Sequence, residues 1–274
     1  MTDFVPKGSF VDIGGGLEMH YHEAGEGPAV VFLHGSGPGA SGWSNFKGNY
    51  PVFAEAGHRS IVPDILGFGY SSKPDDAVYA IDYMADGVIA LLDRLEVETC
   101  VLVGNSMGGA LAIRITLTRP DRIRKLILMA PGGLEARETY MEMEGIRAMI
   151  RILFGSEGVT RDSLTRLFGL QLYDPSILAE RVIDERLSIA ALQTKRVIET
   201  MKIPNQEDAL QDLACPVLGF WGVDDKFCPV SGAMKLATRC RDSRVVLLSR
   251  CGHWVMVEHA EVFNRTAIEF LEEA

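Results

Sequence analysis

Leu102-Val-Gly-Asn-Ser-Met-Gly-Gly-Ala110 sets one hydroxyl between glycines, directly after an apolar run and directly before a segment of helical spacing. Residues 100–103 read as a buried strand, and residues 107–118 repeat apolar side chains at three- and four-residue intervals, as an amphipathic or buried helix does. Gly104-Asn-Ser-Met-Gly108 therefore fits G-x-S-x-G in the strand-turn-helix context this pattern needs. A sharp turn of that kind exposes its central side chain at the carboxyl end of a strand, above a helix N-terminus that favours negative charge. Taken alone the pattern is only moderately specific, because three fixed positions in five arise by chance and serine in a turn commonly does no more than cap backbone N–H groups. Its partners decide.

Outward from the elbow, residues 10–13, 17–23 and 29–33 read as extended, separated by Gly14-Gly-Gly16 and Gly25-Glu-Gly-Pro28, which predicts an opening strand meander. Apolar runs follow at 60–62, 100–103, 125–129, 217–221 and 245–248, mostly alternating with helical patterns at 81–95, 107–118, 229–238 and 261–271. That alternation predicts an α/β fold, a mostly parallel sheet with helices on both faces. Between Gly133 and about Pro204 the pattern changes to consecutive helical segments, at 143–153, 161–172 and 175–192. An inserted helical lid accounts for the change; a longer run of crossover helices is the plainer alternative. The division expected is a core of residues 1–133 and 205–274 with a lid of residues 134–204.

The 274 residues, 47% hydrophobic and 23% charged, suffice for one sizeable core plus an inserted subdomain. Lys and Arg number 27 against 37 Asp and Glu, a net charge of −10 without a basic cluster, which speaks against nucleic acid and anionic membranes as partners. The first residues lack the charged and apolar regions of a secretory signal, and no stretch approaches the ~18 apolar residues of a membrane span. Cytoplasmic residence is the expectation. Five cysteines without C-x-x-C spacing predict reduced thiols rather than disulfides or a zinc site. No compact His/Cys/Asp/Glu set asks for a metal, and no other cofactor is called for. His20 and His22, on one face of a strand, are expected as a surface pair.

A serine nucleophile needs a base, and the base an orienting carboxylate. Arg250-Cys-Gly-His-Trp254 follows the last strand, where His253 can reach back over the sheet; His34, His58 and His259 sit less favourably. The strand at 217–221 leads into Gly222-Val-Asp-Asp225-Lys-Phe-Cys-Pro229, in which two acids compete. The G-x-x-D-x-x-x-P phrasing common in α/β hydrolases selects Asp225 and leaves Asp224 as a turn neighbour. Ser106, Asp225 and His253 then follow the Ser…Asp…His chain order of the α/β-hydrolase fold. His34-Gly-Ser-Gly-Pro-Gly-Ala40 lies where that fold builds part of its oxyanion hole, and the Met107 N–H adds a second donor. Such donors are worth roughly 3 to 4 kcal/mol each on deletion.

Three blocks make the resemblance closer: His34-Gly-Ser-Gly-Pro-Gly-Ala-Ser-Gly-Trp-Ser-Asn45, Gly104-Asn-Ser-Met-Gly-Gly109, and Ser249-Arg-Cys-Gly-His-Trp254 continuing into Val257-Glu-His-Ala260 and Phe263-Asn264. Together they resemble the meta-cleavage product hydrolases of bacterial aromatic degradation, over nearly the whole chain. The resemblance implies hydrolysis of a carbon–carbon bond in a 2-hydroxy-6-oxohexa-2,4-dienoate, giving 2-hydroxypenta-2,4-dienoate and a carboxylic acid. It also implies substrate contacts from Asn45, Asn105, Arg186 and Trp254 at the dienoate's polar end, with Ser176 as a lesser lid contact. Ser36 and Gly37 fall near the oxyanion loop, and a homo-oligomer is implied as well. In the lid, Met143, Ile146, Ile150, Leu153 and Phe168 are candidates for the pocket of the C6 substituent, although their spacing also fits core. A carboxylesterase with the same triad is the nearest alternative. A non-catalytic ligand receptor is a more distant one, and dehalogenase or epoxide hydrolase chemistry calls for a carboxylate where Ser106 stands.

Overall fold

Runs such as Ala29-Val-Val-Phe-Leu33 and Cys100-Val-Leu-Val-Gly-Asn105 are buried at every position, so both faces of these strands require cover. The structure, a computed structural model, describes residues 7–273. Among the described residues one sheet contains β1 (Ser9–Gly14), β2 (Leu17–Ala24), β3 (Ala29–Leu33), β4 (Arg59–Pro63), β5 (Cys100–Asn105), β6 (Ile123–Met129), β7 (Val217–Gly222) and β8 (Ser243–Leu248). Their spatial order is β1-β2-β4-β3-β5-β6-β7-β8. β1 and β2 form an antiparallel hairpin, β2 meets β4 antiparallel, and every pairing from β4 to β8 is parallel. The expected opening meander is thus corrected at its third strand. β3 is a central parallel strand between β4 and β5, because its five apolar positions need two covered faces.

The helices are α1 (Gly42–Phe46), α2 (Tyr50–Glu55), α3 (Ile81–Arg94), α4 (Met107–Thr118), α5 (Arg137–Glu142), α6 (Glu144–Phe154), α7 (Arg161–Gln171), α8 (Glu180–Ala190), α9 (Lys195–Thr200), α10 (Ser231–Arg239), α11 (Val255–Glu258) and α12 (Ala260–Glu272). Alternation along the strands divides the core in two. Val31, Leu33, Leu102 and Leu126 pack with Leu91 of α3, Leu111 of α4 and Leu236 of α10. Val30, Phe32, Val103 and Phe220 pack with Phe53 of α2 and Phe263 and Phe270 of α12.

Helices α5 to α9 fall between β6 and β7, as an inserted helical region. Thr160 and Ser163 form a capping box that starts α7. The helix expected over 175–192 is broken: a 3-10 turn spans Pro175–Ile177 and α8 begins only at Glu180. Asp174 caps the turn by accepting the Ser176 N–H at 3.0 Å, and Leu178 and Ala179 then run extended.

His20 and His22 are not a surface pair. They are 1% and 5% exposed, because the face they share is closed by Trp43, Tyr70 and the buried Asp64, whose carboxylate meets His20 Nδ1 at 2.8 Å. All five cysteines are buried free thiols.

Candidate active site

The carboxyl ends of β3, β5, β7 and β8 converge on one side of the sheet, where α/β sheets bind ligands. Ser106 stands at the end of β5 with φ 56° and ψ −117°, a strained conformation for a residue with a side chain. The elbow is held by Ser106 N–H donating to Met129 O at 3.0 Å and Gly132 N–H donating to Ser106 O at 2.9 Å. It closes only over glycines: a Cβ on Gly104 would lie 2.5 Å from Gly108 O, and one on Gly108 would lie 2.0 Å from Leu33 O. Met107 begins α4, so its N–H has no carbonyl one turn before it and is available to a substrate oxygen.

Asp225 and His253 meet through carboxylate Oδ2 and imidazole Nδ1 at 2.8 Å. The other carboxylate oxygen accepts the N–H groups of Phe227 at 2.7 Å and Cys228 at 3.0 Å, which fixes its plane. Asp224 is exposed, with its N–H on Cys251 O at 3.0 Å. The Phe227 ring stacks on the His253 imidazole at 5.1 Å between centroids. With Nδ1 committed to Asp225, Nε2 is left to exchange a proton in the cavity that Ser106 and His253 both line. Burial pushes the pKa of the Cys228 thiol, in the same loop as Asp225, well above the ordinary range, with the Asp225 charge adding to it, so this thiol stays protonated and inert.

Arg186, brought in by α8, is 2% exposed. Its Nη2 donates to Asn45 Oδ1 at 2.9 Å and Ser44 O at 3.4 Å, and the guanidinium lies over the rings of Trp254 and Phe168 at 5.0 and 5.3 Å. Asn45 Nδ2 in turn donates to Asn105 Oδ1 at 3.3 Å, and Asn105 Nδ2 to Met129 O at 3.3 Å, so a polar chain runs from the guanidinium to the residue beside Ser106. Among the described residues no carboxylate pairs with Arg186; neighbouring Glu185 is paired with Lys47. Burial lowers the Arg186 pKa to about 10, which leaves it a cation at neutral pH. Its Nε is buried without a hydrogen-bond partner. A buried cation short of an anion is costly alone and well suited to an anionic ligand.

His34 serves the scaffold. Its Nε2 accepts the Ile65 N–H at 3.0 Å while Nδ1 donates to Gly35 O at 2.7 Å, and burial lowers its pKa to about 4.

Gly35, Ser36, Gly37, Ala40, Asn45, Asn105, Ser106, Arg186, His253 and Trp254 line one cavity with Ile146, Met149, Gln171 and Phe227. Ser176 is not brought there: it is exposed in its 3-10 turn, with its N–H held by Asp174. Of the five apolar lid candidates only Ile146 lines the cavity, while Phe168 is buried beneath Trp254 and Arg186. Gln171, Met149 and Phe227 escaped the sequence reading. Gln171 did carry a signal, being a polar residue at the next place in the apolar series Leu164, Leu167, Phe168 of α7.

Residues 30–266 match the model of the alpha/beta hydrolase family. A 2-hydroxy-6-oxononadienedioate/2-hydroxy-6-oxononatrienedioate hydrolase of Comamonas testosteroni is 36% identical, over 93% of this chain and 91% of its own length. A 2-hydroxy-6-oxo-6-phenylhexa-2,4-dienoate hydrolase of the same organism is also 36% identical over the same shares. Among solved structures, the meta-cleavage product hydrolase of Pseudomonas fluorescens IP01, in a mutant form complexed with acetates, superposes with a TM-score of 0.86 at 27% identity over 96% of this chain and 97% of its own. With that fold, and with relatives this similar over nearly the full length of both chains, the chain belongs to the meta-cleavage product hydrolases, carbon–carbon bond hydrolases of the α/β-hydrolase superfamily.

Proposed function

We propose that this enzyme hydrolyses 2-hydroxy-6-oxohexa-2,4-dienoates with Ser106, His253 and Asp225 as its triad, and that Arg186 binds the substrate carboxylate. The observation that carries the reading is the buried, carboxylate-free guanidinium at one end of the cavity that holds the triad. Carbon is a poor leaving group, so the dienol must first ketonise: the proton of the 2-hydroxyl leaves, C5 gains a proton, and the C5–C6 bond becomes breakable. Arg186, with Asn45 and Asn105 behind it and Trp254 beneath, holds the carboxylate and the 2-oxygen where charge develops.

The nucleophile, Ser106 or a water that His253 deprotonates, then adds to C6. N–H groups of Met107 and of the Ser36–Gly37 loop face the oxyanion. Collapse breaks C5–C6, and the electron pair passes into the dienolate stabilised at the Arg186 end. His253 returns its proton to the departing dienolate as general acid; where Ser106 is the nucleophile, a water that His253 then deprotonates cleaves the acyl ester and releases the carboxylic acid and the Ser106 hydroxyl, and Asp225 keeps the imidazole in the tautomer this requires. Residues 134–204 act as the lid that excludes water during this sequence. Cytoplasmic residence and self-association complete the proposal. Cell fractionation decides the first and light scattering the second; no described helix is long and apolar enough to cross a membrane.

The test follows the visible absorbance of the yellow 6-phenyl and 6-methyl dienoates during incubation with purified enzyme, beside a p-nitrophenyl ester. Fast decay of at least one dienoate, abolished by Ser106→Ala, supports the reading. Ester cleavage with both dienoates intact would assign an esterase instead.

A further inference from the structure

Gln171 has no part in the reaction above, yet its side chain stands in the cavity. It is the last residue of α7 and 6% exposed, and it lines the space together with Ser106 and His253. Its backbone is fixed by the active site itself: the Gln171 carbonyl accepts the N–H groups of His253 at 2.7 Å and Trp254 at 3.3 Å. That contact needs Gly252, where a Cβ would lie 2.4 Å from the carbonyl oxygen. The amide Nε2 faces the oxyanion loop, 3.8 Å from where a Cβ on Gly37 would sit. Amide Oε1 is buried with no hydrogen-bond partner.

Leu167, one turn earlier on α7, packs with Ile146, Met149 and Phe227, apolar residues that line the same cavity as Gln171. An apolar residue at position 171 would complete that wall without leaving a buried oxygen unpaired. A site that carries an unpaired buried polar group discriminates strongly for the ligand that pairs with it. Ile146, Met149 and Phe227 bring no cation, so a carboxylate there would be buried without a counter-charge.

We propose that Gln171 is a specificity-determining residue for the C6 substituent, and that it selects a substituent bearing a neutral oxygen, a hydroxyl or a carbonyl, over a plain alkyl group or a carboxylate. The proposal rests on the dienoate reading. It also divides what overall similarity leaves joined, since the dioate and phenyl hydrolases of Comamonas testosteroni are equally identical to this chain at 36%. The neutral amide serves either partner, because a half-turn about its last bond exchanges donor and acceptor.

Three dienoates, with C6 propyl, 2-hydroxyethyl and 2-carboxyethyl groups, are obtained by ring fission of the corresponding 3-substituted catechols. The wild-type enzyme is expected to favour 2-hydroxyethyl over each of the others at least tenfold in kcat/KM. Gln171→Met, close in volume and without a strong hydrogen-bonding group, should bring the hydroxyethyl-to-propyl ratio down about tenfold, and Gln171→Asn should restore part of it. Each ratio is read within one preparation, so a fraction of unfolded variant cancels. A wild-type preference for propyl or carboxyethyl, or a Gln171→Met loss equal for all three substrates, overturns the proposal and leaves the dienoate reading standing. Failure to turn over any of the three overturns the proposal, and the 6-phenyl and 6-methyl dienoates run beside them decide whether the dienoate reading falls with it.

Discussion

Ser106 and Arg186 are both uncomfortable residues, and each discomfort has a use. The serine holds a left-handed backbone that neighbouring glycines make possible by letting β3, β5 and α4 touch. The arginine is buried over two aromatic rings without a carboxylate. Arg186→Met should therefore separate function from stability. Loss of a charge-assisted contact worth roughly 1.5–3 kcal/mol predicts a kcat/KM for dienoates lower by about 10- to 100-fold, through KM for the lost carboxylate contact and through kcat for the lost stabilisation of the dienolate. Removing a buried unpaired charge predicts a denaturation midpoint that is unchanged or raised. Weaker folding with unaltered KM would contradict both halves. The proposed triad was legible in the sequence because Gly104-Asn-Ser-Met-Gly108, Asp225 and His253 each follow a recognisable strand, and the structure joins Asp225 to His253. Gln171 was not, because its exposure to the cavity depends on how α7 packs over a loop distant in sequence.

Helix α7 ends against the loop that presents His253, and one carboxylate joins the two. Glu258 of α11 accepts the Gly252 N–H at 2.6 Å through one oxygen, and the N–H groups of Tyr173 at 2.6 Å and Asp174 at 3.2 Å through the other. Glu258→Ala strands three donors and should lower stability by about 2–3 kcal/mol in urea titration. It should also reduce kcat, since His253 loses its support, and Glu258→Gln should recover part of both. An unaltered urea midpoint in Glu258→Ala would show that the clamp carries no weight. At this scale the strands and core helices were readable from two-sided burial and helical spacing. The third strand's neighbours and the break at Leu178 and Ala179 were not: the first depends on crossover topology, and the second leaves no mark in the helical spacing of the sequence.

Across the whole molecule, buried histidines tie stability to pH. His34 is neutral in the fold, with its pKa lowered from 6.5 to about 4, so its contribution is fully present above pH 6.5 and is lost as pH falls toward 4. At pH 5 the unfolded chain gains the proton that the folded chain refuses, which amounts to roughly 2 kcal/mol for this group. Urea midpoints should fall accordingly between pH 7.5 and pH 5, and equal midpoints would refute the assignment. Net charge and the absence of a basic cluster had already turned the whole-chain reading toward a small-molecule substrate.

Which bond the assembled site breaks is the central claim, and product analysis in 18O-water tests it most directly. With the 6-phenyl dienoate the account predicts 2-hydroxypenta-2,4-dienoate together with benzoate carrying oxygen from water, and no such products with Ser106→Ala. Recovery of intact dienoate from the wild-type enzyme, beside efficient cleavage of a p-nitrophenyl ester, would contradict it.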